Sequence, residues 1–264
     1  MSASEYVYGE NYKNLAYRIV INRPEKLNAM SGEMWSRLKE ELEKGCSSSL
    51  PSVLITGTER AFSSGDDIDD MYRLSDLESS TKFFNAILDV IRTMITCKKP
   101  VVCSVKGFAA GGGAEMLLAC DVVVAADSAW ISFPEVALGL LPPFLVSLGV
   151  SALGHRRVRY LAMTGQRLSS HVAQLIGLVD EVVPLSDVDQ TVDDILSTLS
   201  SFPAEALESI KKVVFSGQGL DQAVGELARL AVTGEAKERM RMFKEHKLKP
   251  AAVRAQVERR APKQ

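Results

Sequence analysis

Over the first two-thirds of the chain, short β-branched and aliphatic runs alternate with longer stretches of helical periodicity. Ala16–Ile21 (AYRIVI), residues 53–56 (VLIT), Val101–Val105 (VVCSV) and residues 122–125 (VVVA) have the length and composition of buried strands, with turn residues close behind. Between them, Met34, Trp35, Leu38 and Leu42 share one helical face, with Ser31 at the N-cap position. Phe84, Ile87, Leu88, Ile91, Met94 and Ile95 form a second stripe. This alternation predicts an α/β fold of βαβ units with covered sheet faces. From about Pro203 the pattern is wholly helical. Ala206, Leu207, Ile210, Val213 and Val214 share a face, and Leu220, Val224, Leu227 and Ala231 share the next. The boundary falls near Ser201, giving a core over residues 1–200 and a helical C-terminal region over 201–264.

Composition narrows the class. With 264 residues, 46% hydrophobic and 24% charged, the chain can bury a full core, which excludes a disordered, collagenous or disulfide-stapled miniature protein. The net charge of −2 argues against a dedicated nucleic-acid binder. The charge is uneven, however: residues 237–264 hold ten Lys/Arg against three Glu. The four cysteines (Cys46, Cys97, Cys103, Cys120) form no C-x-x-C pair and only three histidines accompany them. Free thiols, no metal site and a reducing, cytoplasmic location are therefore expected. The polar start MSASEYVYGENYKN lacks an apolar signal core. The longest uncharged run, residues 136–154, contains Pro142-Pro143 and reads as buried protein rather than a membrane span.

Four features can carry chemistry. Gly111-Gly112-Gly113 follows the strand Val101–Val105 and precedes an apolar helix over residues 116–120. Glycines there let a ligand approach the backbone and leave first-turn N–H groups free for an anion or oxyanion. A tight turn with close packing explains the same residues. Glu115 lies just inside that helix, where desolvation raises a carboxyl pKa and the helix N-terminus lowers it. Such a group suits acid–base work, although a solvated helix-start glutamate is the common alternative. Glu135 is the only charge between Asp127 and His155, and an isolated acid in so apolar a stretch either caps a helix after Pro134 or faces a site. Finally, Ala61 to Asp70 (AFSSGDDIDD) crowds four aspartates into five positions. It lacks the glycine and distal glutamate of a calcium loop and reads as a solvated helix start.

Taken together these motifs resemble the crotonase, or enoyl-CoA hydratase/isomerase, family, closest to the hydratases. The matching runs, in family order, are Asn22-Arg23-Pro24-Glu25-Lys26-Leu27-Asn28-Ala29, Ala61-Phe62-Ser63-Ser64-Gly65-Asp66-Asp67-Ile68, Gly111-Gly112-Gly113-Ala114-Glu115, Cys120-Asp121, Phe133-Pro134-Glu135 and Leu138-Gly139. Residues 161–173 and Gly177-Leu178-Val179-Asp180 extend the match. The resemblance implies a spiral of β-β-α turns with a helical C-terminal trimerisation region, as a homotrimer or dimer of trimers. It implies an acyl-CoA thioester substrate, with coenzyme A part of the substrate and no separate cofactor. Backbone N–H groups of Asp66 and Gly112 would form the oxyanion hole, and Glu115 and Glu135 the acid–base pair, with the role of each left open. Lys26, Leu27, Ser64, Asp67, Ile68, Phe243 and Lys247 would contact coenzyme A. The acyl tunnel would lie in residues 75–95 and around Phe144.

Both glutamates favour reversible hydration of a 2-enoyl-CoA. A Δ3,Δ2-enoyl-CoA isomerase working through Glu135 alone is the runner-up, because Pro142-Pro143 gives a stiffer loop than the hydratases' glycine-rich one and removes an amide at Pro143. A non-catalytic acyl-CoA-binding or RNA-binding relative is the third reading. The basic tail suits coenzyme A phosphates, a solvated helix face or RNA, but no aromatic interleaving supports the last.

Overall fold

The computed structural model describes residues 3–216 together with Gly234 and Glu238. The ten strands are β1 (Val7–Tyr12), β2 (Ala16–Ile21), β3 (Ser52–Thr56), β4 (Ala61–Ser63), β5 (Val101–Val105), β6 (Phe108–Ala110), β7 (Val122–Ala126), β8 (Trp130–Ser132), β9 (Leu168–Ser169) and β10 (Glu181–Val183). The helices are α1 (Ala3–Tyr6), α2 (Gly32–Ser47), α3 (Ile68–Tyr72), α4 (Leu77–Thr96), α5 (Gly112–Glu115), α6 (Pro143–Leu153), α7 (His155–Thr164), α8 (Ser170–Leu175), α9 (Val188–Ser200) and α10 (Ala204–Ser216).

The four strand runs read from the sequence become β2, β3, β5 and β7, and with β1 and the three-residue β10 they form a six-stranded sheet in the order β1-β2-β3-β5-β7-β10. A four-stranded sheet follows the order β4-β6-β8-β9. After each of β3, β5 and β7 the chain turns sharply and lays a three-residue strand into the smaller sheet. The three long strands pair in parallel, and so do the three short ones. Each turn of the chain therefore adds one strand to each sheet, which is the expected β-β-α spiral. The corners are tight: a Cβ on Gly107 would overlap the Arg60 peptide.

Helix α2 begins as the sequence predicts, with the Ser31 hydroxyl accepting from Met34 N at 3.2 Å. Met34, Trp35, Leu38 and Leu42 are buried. On α4 the buried face runs through Phe83, Ile87, Val90, Ile91 and Met94, so Phe84, Leu88 and Ile95 are only partly covered. Asp67 caps α3 by accepting from Asp69 N at 2.9 Å, the helix start expected of the aspartate run. Helix α10 is fastened by the buried Lys211, whose Nζ lies 2.6 Å from Asp121 Oδ2. Leu220, Val224, Leu227 and Ala231, like the basic tail apart from Glu238, lie outside the described residues. Among the described residues no helix is long and apolar enough to cross a membrane.

One expectation is overturned. The cysteines are not free thiols: Cys46 bonds to Cys97 and Cys103 to Cys120, with Cα–Cα separations of 5.5 and 6.4 Å, both within disulfide reach. The first joins the ends of α2 and α4. The second joins β5 to the residue that closes the segment after Glu115. The argument from free thiols to a reducing location falls with them.

Candidate active site

Three groups of interest hang from the ends of three adjacent parallel strands. Gly65-Asp66 follows β4, Gly111-Gly112 follows β6, and Pro134-Glu135 follows β8. Neighbouring strands lie roughly 4.8 Å apart, so groups leaving their ends converge on one small volume. The approach of the first two is close. Gly65 has φ +88°, and a Cβ there would sit 2.8 Å from Ala110 O and 3.1 Å from Gly112 N. The backbone N–H groups of Asp66 and Gly112 donate to no acceptor among the described residues. Around them the other amides are used: Met30 N bonds Gly65 O, Asp67 N bonds Met30 O and Gly111 N bonds Ser132 O. Two free donors therefore stand just beyond the ends of adjacent strands.

The glycines themselves start the helix. Helix α5 begins at Gly112, with Glu115 as its fourth residue and a 3-10 turn over Met116–Ala119 behind it. The start is earlier than the sequence predicts, because Gly112, Gly113 and Ala114, though buried, add no large apolar side chain to the stripe. Glu115 is 3% exposed. Its Oε1 accepts from Phe144 N at 2.7 Å and Leu145 N at 2.8 Å. These are unpaired first-turn donors of α6, whose first residue is Pro143. The Pro142-Pro143 segment is thus a helix entry rather than a stiff loop, and the missing amide at Pro143 costs nothing here. Burial pushes the Glu115 carboxyl up to about 8, against the pull of the Leu145 and Phe144 amides and reinforced by Glu135 and Asp66.

Glu135 opens a 3-10 turn, Glu135–Leu138. Both of its carboxyl oxygens are buried without a hydrogen-bond partner, and Oε1 lies 3.5 Å from where a Gly111 Cβ would stand. Burial lifts it to about 7, with the charge of Asp66 adding to the rise. Glu115, Glu135 and Asp66 all line one cavity of about 580 Å³. Phe84, Ile87 and Phe144 supply apolar wall, from the two regions expected to form an acyl tunnel.

The remaining sequence candidates divide. Ser64 and Ile68 line the cavity. Ser64 N bonds Leu27 O at 3.1 Å and Ser64 Oγ reaches Lys26 O at 3.4 Å, so Lys26 and Leu27 adjoin the same rim. Lys26 Nζ pairs with Asp69 at 2.9 Å. The Asp67 carboxylate faces away, 2.6 Å from Arg23 Nη1, and its role is to hold the turn. Phe243 and Lys247 lie outside the described residues. Sequence reasoning missed the amides of Phe144 and Leu145, for which the Pro-Pro helix entry was the available sign. It also read Trp35 as core only, whereas its Nε1 donates to Asp66 Oδ1 at 2.9 Å.

The chain matches known proteins over most of its length. The family model for enoyl-CoA hydratase/isomerase matches residues 10–263. The chain belongs to the enoyl-CoA hydratase/isomerase family. It is 32% identical to a probable enoyl-CoA hydratase of Mycobacterium bovis, over 74% of this chain and 76% of that protein. It is 32% identical to a short-chain-enoyl-CoA hydratase of Clostridium acetobutylicum, covering 77% and 78%. Among solved structures, a Mycobacterium smegmatis enoyl-CoA hydratase aligns with a TM-score of 0.87 at 22% identity, over 94% of this chain and 99% of that one, a likeness of fold. An enoyl-CoA hydratase from Geobacillus kaustophilus aligns at 0.85 with 26% identity, over 93% and 97%. The crotonase fold expected from the motifs is the fold observed.

Two raised carboxyls make a stability signature. Below their ordinary value of 4.5, both folded and unfolded chains are protonated at these sites. Between 4.5 and about 8 the folded chain keeps protons that the unfolded chain has released, so unfolding free energy falls as pH rises through that window. Urea unfolding of wild type from pH 5 to 9 is expected to show this decline, and Glu115→Gln is expected to flatten it. A variant as pH-sensitive as wild type would contradict the assignment.

Proposed function

We propose that the protein is an enoyl-CoA hydratase, adding water reversibly across the double bond of a 2-enoyl-CoA thioester. The observation that carries this reading is the pair of buried glutamates facing one cavity beside two unpartnered strand-end amides. The thioester oxygen sits between the N–H groups of Asp66 and Gly112, which bind it more strongly as enolate charge develops. Polarisation makes Cβ electrophilic. Glu115, with Oε1 fixed by two amides, holds the water through Oε2 and takes its proton as the oxygen attacks Cβ. Glu135, unpartnered, delivers a proton to Cα, and the proton taken by Glu115 passes back to Glu135 before the next turnover, so that the net addition is the H and OH of one water. One carboxyl starts ionised and the other protonated, so the pair titrates as a unit. The free Glu135 carboxyl would also serve a Δ3,Δ2-enoyl-CoA isomerase, which moves one proton between two carbons, and this is the second reading.

The test is turnover on a panel of 2-enoyl-, 3-enoyl- and 3-hydroxyacyl-CoA esters. Loss of enoyl-thioester absorbance with crotonyl-CoA is expected. Faster consumption of a 3-enoyl-CoA would move the assignment to the isomerase. Binding of acyl-CoA with no turnover of any ester would replace both with a non-catalytic role.

A further inference from the structure

Asp66 presents a chemical conflict. Its backbone N–H is one of the two donors for the thioester oxygen, yet its carboxyl lines the same cavity. The Oδ1 atom lies 3.3 Å from where a Gly112 Cβ would stand, immediately beside the second donor. A carboxylate there would oppose the negative charge that the two amides are placed to receive.

The surroundings give that charge no compensation. Oδ1 accepts from the Trp35 indole N–H, a neutral donor, and Oδ2 has no partner among the described residues. Among the described residues no Lys or Arg lines the cavity, and the titratable groups that share it, Glu115 from α5 and Glu135 from the turn after β8, are acids. The elements packed around it offer nothing else. Helix α2 contributes Trp35, and α4 contributes Phe84 and Ile87. The neighbouring aspartates are engaged elsewhere: Asp67 with Arg23, Asp69 with Lys26, and Asp70 with Gly32 N and Arg73.

Resting on the hydratase reading, we propose that Asp66 works as a neutral carboxylic acid, its Oδ2–H a third donor aimed into the cavity beside the Asp66 and Gly112 amides. Oδ1 receives the Trp35 N–H, so the proton resides on Oδ2. It stays there through the reaction: water supplies the proton and hydroxyl that add across the double bond, and Asp66 neither gains nor loses one. Burial agrees with this form, holding the group up at about 6 against the pull of the Trp35 N–H. Exclusion of water by a bound acyl chain raises it further.

The experiment is the pH dependence of kcat/KM for crotonyl-CoA from pH 4.5 to 9 in wild type, Asp66→Asn and Asp66→Ala. Wild type is expected to lose activity as Asp66 ionises. Asp66→Asn keeps a carbonyl for Trp35 and an N–H donor for the cavity, and its descending limb is expected at least one pH unit higher. Asp66→Ala has no donor and is expected to fall about tenfold below Asp66→Asn across the pH range in which the pair of glutamates is active. Superimposable wild-type and Asn profiles, or a hundredfold loss in Asp66→Asn at every pH, would overturn the proposal. Infrared difference spectra of wild type minus Asp66→Asn, with butyryl-CoA bound at pH 6, read the group directly. A protonated-carboxyl band is expected, and a carboxylate band would refute it. Because that spectrum needs no turnover, it separates failure of this assignment from failure of the hydratase reading.

Discussion

Glu135→Gln is expected to lower kcat for crotonyl-CoA hydration by about 10²–10⁴-fold, the usual loss when a general acid or base is removed. Glu115→Gln is expected to lose a similar amount. The glutamine matches the protonated glutamate in shape, and at position 115 its carbonyl still accepts from Phe144 N and Leu145 N. Both variants should therefore keep the wild-type urea midpoint at pH 5, where the native carboxyls are protonated. The double variant is expected to fall little below either single one, because a pair that moves protons in concert is already disabled by one loss. If Glu115→Gln retains full activity while Glu135→Gln does not, the water-holding role is wrong; if a 3-enoyl-CoA is also consumed faster than crotonyl-CoA, the single-carboxyl isomerase mechanism takes its place.

Breaking the Cys46–Cys97 bond is expected to lower the unfolding free energy by about 4 kcal/mol in the chain-entropy account of cross-links. The bond closes a loop with a sequence separation of 51, and the second, Cys103–Cys120, closes one of 17, for which about 3 kcal/mol is expected. The measurement is urea unfolding of Cys46→Ser/Cys97→Ser against wild type, each with and without reductant. Reductant should shift the wild-type midpoint well below its oxidised value and shift the double variant less, since one bond remains. An unmoved wild-type midpoint would mean that the four thiols are not paired in solution. Alkylation of the unreduced, denatured chain gives an independent count, with no reactive cysteine expected.

The sequence made the central strands β3, β5 and β7 legible because they are buried on both faces and appear as β-branched and aliphatic runs, and β2 was legible beside them, whereas the partly exposed edge strands β1 and β10 were not. The small sheet was hidden. Strands β4, β6 and β8 have three residues each, too few to show a period, and in the sequence they look like parts of motifs. Those motifs mix chemistry with architecture. Asn28 is fully buried and donates to Ile21 O, Ala61 O and Phe62 O, stitching the corner between the sheets. Asp121 and Asp180 accept from the strand amides Val101 N and Val123 N at 2.7 Å. Such residues belong to the matching runs as Glu115 and Glu135 do, yet they do not line the cavity that the two glutamates share. The cysteine pairing was invisible for a different reason. It depends on where α2, α4 and β5 end in space, and no spacing rule reports that.

The row of strand ends has a consequence for how this scaffold changes its trade. Asp66, Gly112 and Glu135 each stand two or three residues beyond a short strand in three successive coils, like tools on adjacent pegs of a rack, with Glu115 one helical turn behind Gly112. Exchanging a single residue at one peg replaces a tool while the rack stays put. Insertions in the outer helical excursions that spare the α6 entry holding Glu115 leave the pegs in register, because the ladder of backbone bonds between the short strands sets their separation. New selectivity can therefore arise in the excursions and new chemistry at the pegs, each without disturbing the other.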